Sequence, residues 1–238
     1  MNVAVMQPYL FPYIGYLQLI KAVDTFVIYD DVNFIKKGWI NRNRILSSDG
    51  ISTFSLPVSK ISQNKKINEH CFHEPKVNQQ KLFNKLSLIY NDAPYKAQLT
   101  SILDRSFQKM NNSPFNIVDV LQASLDELAQ VFDLQTRYIL ASSLEIEESV
   151  KGQDRILEIC RQLNATTYIN PQGAKDIGLY DKKTFENAHI ELKFIQPHLA
   201  EYTQFNQDVF VPGLSVIDLI ANVAPDELPN YANGYLLD

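Results

Sequence analysis

The sequence predicts an α/β fold: a mostly parallel sheet with flanking helices, a β-hairpin in the N-terminal half and an all-helical insert at about residues 76–134. Three observations carry that expectation. Apolar runs of strand length alternate with helical patterns at both ends of the chain. Two strand-like runs flank the turn sequence SSDG. From Lys76 to about Leu134, apolar residues recur at helical spacing. A chain of 238 residues, 45% hydrophobic with 13 Phe and 12 Tyr, buries enough apolar surface for one α/β domain, residues 1–238, carrying that insert.

The first strand is Asn2–Met6, an uninterrupted apolar run. Gly15–Val23 reads as a helix, with Ile14, Leu17, Ile20 and Lys21 at helical spacing and Asp24 in the exit turn. Thr25–Tyr29 is a second buried strand, which completes a βαβ unit. Trp39–Leu46 and Ile51–Val58 form the hairpin, and the polar Ser59–Lys66 is a loop. The insert holds about three helices. Their inner faces are Leu82, Leu86 and Ile89, then Leu99, Ile102, Leu103 and Phe107, then Ile117, Val120, Leu121 and Leu128. Asn91–Tyr95 and Asn111–Pro114 break them, with Pro94 and Pro114 suited to helix starts. The alternation then resumes: strand Thr136–Leu140, helix Gln153–Leu163, strand Thr167–Ile169, helix Lys182–Asn187, strand Ile190–Ile195 and helix Leu214–Ala221.

Composition narrows the function classes. A net charge of −5 argues against a dedicated nucleic-acid binder. The basic residues Lys36, Lys37, Arg42, Arg44, Lys60, Lys65 and Lys66 are either a solvated face or an anion pocket. Cys71 and Cys160 stand far apart and suggest neither a disulfide framework nor a metal site, which fits a reduced, cytoplasmic setting. No apolar run reaches the roughly 18 residues that span a bilayer. His70, Cys71 and His73 crowd three candidate ligands into NEHCFHE with no second cluster, so no metal is expected.

In open parallel sheets, ligands sit beyond the carboxyl ends of the strands, where the strand order reverses. That rule nominates Gln7–Tyr16, Asp30–Asp31, Ser142–Ser143, Asn170–Gly173 and Gln196–His198. In the first segment, prolines stiffen a loop bearing Gln7, Tyr9, Tyr13 and Tyr16, and Gly15 permits a close approach at the helix start. The loop either binds a ligand or plugs the sheet end. Asp30 and Asp31 are the candidate catalytic carboxylates; the plainer reading is one functional acid and one solvated or capping partner. Lys36, Lys37, Trp39, Asn41, Arg42, Asn43 and Arg44 set the single Trp among cations. That pattern suits a phosphate beside a base or sugar, or else a cationic edge strand. Ser142, Ser143 and Asn170 form the other wall or are ordinary turn residues, with Asp176, Tyr180 and Asp181 following in a loop able to close over the site. Ser215, Asp218, Leu219 and Asn222 fall near one face of the last helix, a stripe that needs partners if buried.

The opening order of strand, proline loop, Gly-aromatic helix start and strand is shared with nucleotidylyl-transfer folds, which carry histidines where this chain has Tyr13 and Tyr16. More specifically, the chain resembles the WbqC-like family. The resemblance lies in MQPYLFPYIGYLQLI at 6–20, VIYDDVNFIKKGWINRNRI at 27–45 and LPV at 56–58, and in IYNDAPY at 89–95, SSL at 142–144 and LSVIDLIAN at 214–222. It covers almost the whole chain. At Asn170–Tyr180, NPQGAKDIGLY stands where the family pattern has a serine- and glycine-rich turn. The resemblance implies a bacterial role in surface-polysaccharide (O-antigen, lipopolysaccharide) biosynthesis. The implied activity is a transferase placing a glycyl, other aminoacyl or acyl group on the amine of a nucleotide-linked amino sugar. The alternatives are a non-catalytic nucleotide-sugar binding or assembly protein and a nucleotidylyltransferase-like enzyme. A free amino acid needs activation and no familiar ATP motif is present. The donor therefore arrives activated, or the tyrosine-rich loop takes ATP without a known signature.

Overall fold

The computed structural model of the chain describes residues 1–111, 115–205 and 207–238. The strands among the described residues are β1 (Asn2–Met6), β2 (Thr25–Ile28), β3 (Arg42–Ser47), β4 (Gly50–Ser55), β5 (Arg137–Leu140), β6 (Thr167–Pro171), β7 (Glu191–Pro197) and β8 (Tyr235–Leu237). β3 and β4 form the hairpin. The other six make one sheet in the order β5-β2-β1-β6-β7-β8, parallel throughout except for β8. Counted by succession within the sheet, that order is 3-2-1-4-5-6, the doubly wound arrangement. Its direction of growth reverses between β1 and β6, so Gln7 and Asn170–Pro171 flank the crevice.

The strands read as unbroken apolar runs because both sheet faces are covered. Ala4, Phe26, Ile28, Ile169 and Ile195 join one core, whereas Val3, Val5, Val27, Tyr168, Leu192 and Phe194 join the other. This is the period-2 alternation of a strand with two buried faces. α1 (Ile14–Lys21), α2 (Pro75–Ile89), α3 (Lys96–Asn111) and α4 (Ile117–Val131) serve the first core. α5 (Gly152–Gln162), α6 (Gln172–Asp176) and α7 (Lys182–Asn187) serve the second, and α8 (Val216–Asn222) and α9 (Leu228–Ala232) return to the first.

The fold class is as the sequence predicts, with differences at the edges. The break expected at Asn111–Pro114, and with it Pro114, falls largely outside the described residues. Pro94 lies in the turn before α3, whereas Pro75 opens α2. Ile89 is only half-buried, because the α2 stripe ends at Leu86 and Tyr90. Trp39–Asn41 lie outside β3, so the hairpin is shorter than its apolar pattern. α8 starts at Val216, with Ser215 as its cap and Leu214 ahead of it.

α3 packs against α2, α4 and α8. Its Phe107 ring lies edge-on, 6.1 Å from Phe11 of the proline loop, and 6.3 Å from Phe83 of α2. Phe107 therefore couples the helices to the sheet edge. Phe107→Ala should cost about 3–5 kcal/mol, read as a lowered urea midpoint in a single transition. A loss under about 1 kcal/mol would mean that the helices and the loop do not share one core.

Candidate functional site at the carboxyl edge of the sheet

Beyond β1 the chain turns through Gln7–Tyr13 and its backbone is held from outside. The Asn43 amide nitrogen donates to the Phe11 carbonyl at 2.5 Å and the Leu10 carbonyl at 3.4 Å. The Ser215 hydroxyl donates to the Phe11 carbonyl at 2.6 Å, and the Val216 amide to Pro12 at 2.8 Å. Tyr16, buried at the start of α1, donates its hydroxyl to the Gln7 carbonyl at 2.9 Å. The close approach that Gly15 permits is used within the chain. A Cβ there would sit 2.4 Å from a Tyr13 ring carbon, so the Tyr13 side chain packs against the helix start at Gly15.

This frame brings the aromatic loop and the cationic segment together. Tyr9 donates to the Asn43 side-chain oxygen at 3.2 Å, and its ring lies 6.2 Å from Trp39, tilted by 32°. The Arg42 and Arg44 guanidinium carbons lie 5.2 and 5.5 Å from the Trp39 ring centre, within cation–π range. Trp39 stays 42% exposed, which leaves indole surface open to a ligand. Arg42 is fixed by the Gly38 carbonyl at 2.9 Å and by the Lys37 carbonyl, and Arg44 by the Gly213 carbonyl at 3.3 Å. The buried Arg44 Nε meets no acceptor among the described residues. Burial raises the Tyr9 phenol well above its ordinary range, with Tyr13 adding and Arg44 and Arg42 opposing. Tyr9 is therefore a hydrogen-bond donor at neutral pH. Lys36 and Lys37 are exposed at the rim, while Asn41 is tied to Leu56 at 2.8 Å.

The twin acids lie past the end of β2 and diverge. Asp30 is buried and saturated: it accepts from the Ser142 amide at 2.9 Å, the Ser142 hydroxyl at 2.6 Å and Asn68 at 3.0 Å. Ser143 caps the same turn on the Leu140 carbonyl at 2.7 Å. Asp31 pairs with Arg155 of α5, their side chains 11% and 10% exposed, and the second oxygen of Asp31 and Nε of Arg155 are buried without partners among the described residues. Asn170 donates to the Tyr168 hydroxyl at 2.6 Å, which meets Tyr180 at 3.2 Å. The Tyr180 and Tyr29 phenols, both raised mainly by burial, carry this polar network toward Arg155 and Asp31.

Sequence reasoning missed Arg155. The available signal was its place on the buried face of α5, at positions 155, 156, 159 and 160. A charged residue on an apolar stripe needs a partner. The NEHCFHE stretch has a different use: His70 is buried, one ring nitrogen 2.8 Å from the Lys66 carbonyl and the other accepting from the Ser62 amide at 3.2 Å. No group of three or more metal-ligating side chains forms among the described residues, and none of their helices is long and apolar enough to cross a membrane.

Asp218 belongs to a separate, closed group. Its carboxylate accepts from Tyr90 at 2.9 Å, Tyr202 at 2.8 Å and Gln204 at 3.1 Å, while Asn222 accepts from the Phe205 amide at 2.9 Å. The polar stripe on α8 therefore faces inward and fastens Tyr202, Gln204 and Phe205. Burial raises the Asp218 carboxyl despite these donors. A raised folded-state value means that its contribution to stability is full below the unfolded range, near about pH 4, and is lost as pH rises through the folded value. Asp218→Asn removes this titration. Its stability relative to the native protein should therefore improve as pH rises above about 4 and level off once the native carboxyl is ionised, in a urea-denaturation series; a flat difference would contradict the assignment.

The WbqC-like protein family matches residues 7–229 of the chain. An uncharacterized protein of Mycobacterium tuberculosis, Rv1507c, is 28% identical over 233 residues, 97% of this chain and 96% of that protein. No solved structure matches.

Proposed function

The chain belongs to the WbqC-like protein family, and from that premise we propose a transferase of surface-polysaccharide (O-antigen) biosynthesis that places a glycyl, other aminoacyl or acyl group on the amine of a nucleotide-linked amino sugar. The observation that carries this reading is the meeting of Tyr9, Trp39, Arg42 and Arg44 beside the reversal point of the sheet. Guanidinium groups match a diphosphate, and an exposed indole next to a phenol offers faces for a base or sugar. Lys36 and Lys37 add positive charge at the rim, which draws in an anion.

The chemistry rests on Asp31, since Asp30 is spent on Ser142 and Asn68. In the transfer, the amine nitrogen bonds to the carbonyl carbon of an activated donor. The leaving group departs with its electron pair, and the nitrogen loses a proton. The unpartnered oxygen of Asp31 is the acceptor for that proton. Activation occurs before the donor arrives or draws on ATP.

One observation favours a second reading, binding without turnover: both acids already have partners, Asp30 fully and Asp31 through Arg155. Mass spectrometry of a panel of nucleoside-diphosphate amino sugars, incubated with the protein, glycine and ATP, separates the two. The enzyme reading predicts a mass gain that Asp31→Asn abolishes while the fold persists. Near-normal turnover in that variant would remove the carboxylate from the mechanism, and binding without any mass gain would favour the second reading. Arg44→Ala should weaken binding of the same compounds by about tenfold to a hundredfold, the scale of a lost charge-assisted contact.

A further inference from the structure

We infer that Arg155 sets the charge at the Asp31 carboxylate: the two form a net-neutral receptor for an uncharged hydrogen-bond donor, which selects a free-base amine over its ammonium form. The inference deepens the amino-sugar reading of the site and rests on it. Arg155 is 8% exposed, on the buried face of α5, and one of its terminal nitrogens binds one oxygen of Asp31. The other Asp31 oxygen is buried and unpartnered. A buried carboxylate oxygen left without a donor is costly, and a ligand N–H or O–H arriving there removes the cost.

The groups around the pair add little net charge. Lys66 is bridged to Glu148 at 2.6 Å, and this bridge stands within electrostatic reach of both Asp31 and Arg155. Tyr29 faces the pair as a phenol, Asp30 is turned toward Ser142 and Asn68, and Lys151 is exposed beside Glu148. An ammonium reaching this pair would lose hydration without meeting a net negative field. A neutral amine donates one N–H to Asp31 and keeps its lone pair for attack. An Asp31 with no cation beside it would hold the ammonium form and suppress its nucleophilicity. The free oxygen is covered in this structure.

The test is calorimetric titration of UDP-glucosamine and of UDP-glucose, which has a hydroxyl in place of the amine, between about pH 6 and 9. For the native protein, affinity for UDP-glucosamine relative to UDP-glucose should rise about tenfold as the amine loses its proton. Arg155→Met should reverse that trend, giving tighter relative binding at low pH, and Arg155→Lys should restore it. The double variant Arg155→Met, Asp31→Asn, with both charges removed, should restore it too, and keeps the test open if Arg155→Met alone does not fold. A uniform loss at every pH in Arg155→Met, or an unchanged pH trend in the folded variants, would overturn the role of Arg155 while leaving the amino-sugar reading intact. Failure of the native protein to bind either compound would overturn both.

Discussion

The site depends on satisfying the buried carbonyls of a proline loop that makes no regular secondary structure. Phe11 is fully buried with a positive φ of 41°, and its carbonyl has no strand or helix partner. Asn43 and Ser215 supply the donors, one from the hairpin and one from the cap of α8. Each orphaned buried carbonyl would cost about 1–3 kcal/mol. The two donors therefore fix the loop, and the loop fixes Tyr9 against Trp39. Elements more than 200 residues apart in sequence meet at one peptide group, since Ser215 and Phe11 are 204 positions apart.

The same logic separates structural acids from available ones. Asp30, Asp31 and Asp218 are all at least largely buried, yet they differ in what remains unpaired. Asp30 and Asp218 spend their oxygens on internal donors and hold turns in place. Asp31 keeps one oxygen free beside a guanidinium with a free nitrogen. Two adjacent acids in sequence thus serve different ends because the strand has already ended and each is claimed by a different neighbour.

Much of this was legible in the residues. The apolar runs at β1, β2 and β6 declared buried strands, and the switch-point rule then led to Gln7–Tyr16 and Asn170. The SSDG turn placed the hairpin, and the cations around Trp39 marked the segment that meets Tyr9. Other features left no local signal. β8 is three residues long with two exposed leucines, so no alternation betrays it. α6 and α9 are five residues each, too short for a helical period to appear. Asn43 and Asn41 look alike in sequence, yet one binds the proline loop and the other the end of the hairpin, a difference set by tertiary contacts. The partner of Asp31 lies 124 residues away on another element, and only the misplaced charge in the α5 stripe hinted at it.

Trp39, flanked by Arg42 and Arg44, is where the proposed anionic nucleotide would bind. Trp39 is the only tryptophan, so its indole N–H gives a single resolved signal in a proton–nitrogen NMR spectrum. Titration with UDP follows that signal directly. The Trp39 resonance should shift progressively and saturably, and in Arg44→Ala the same shift should need about tenfold to a hundredfold more UDP. A stationary Trp39 signal, while resonances elsewhere on the protein move to saturation, would contradict this placement.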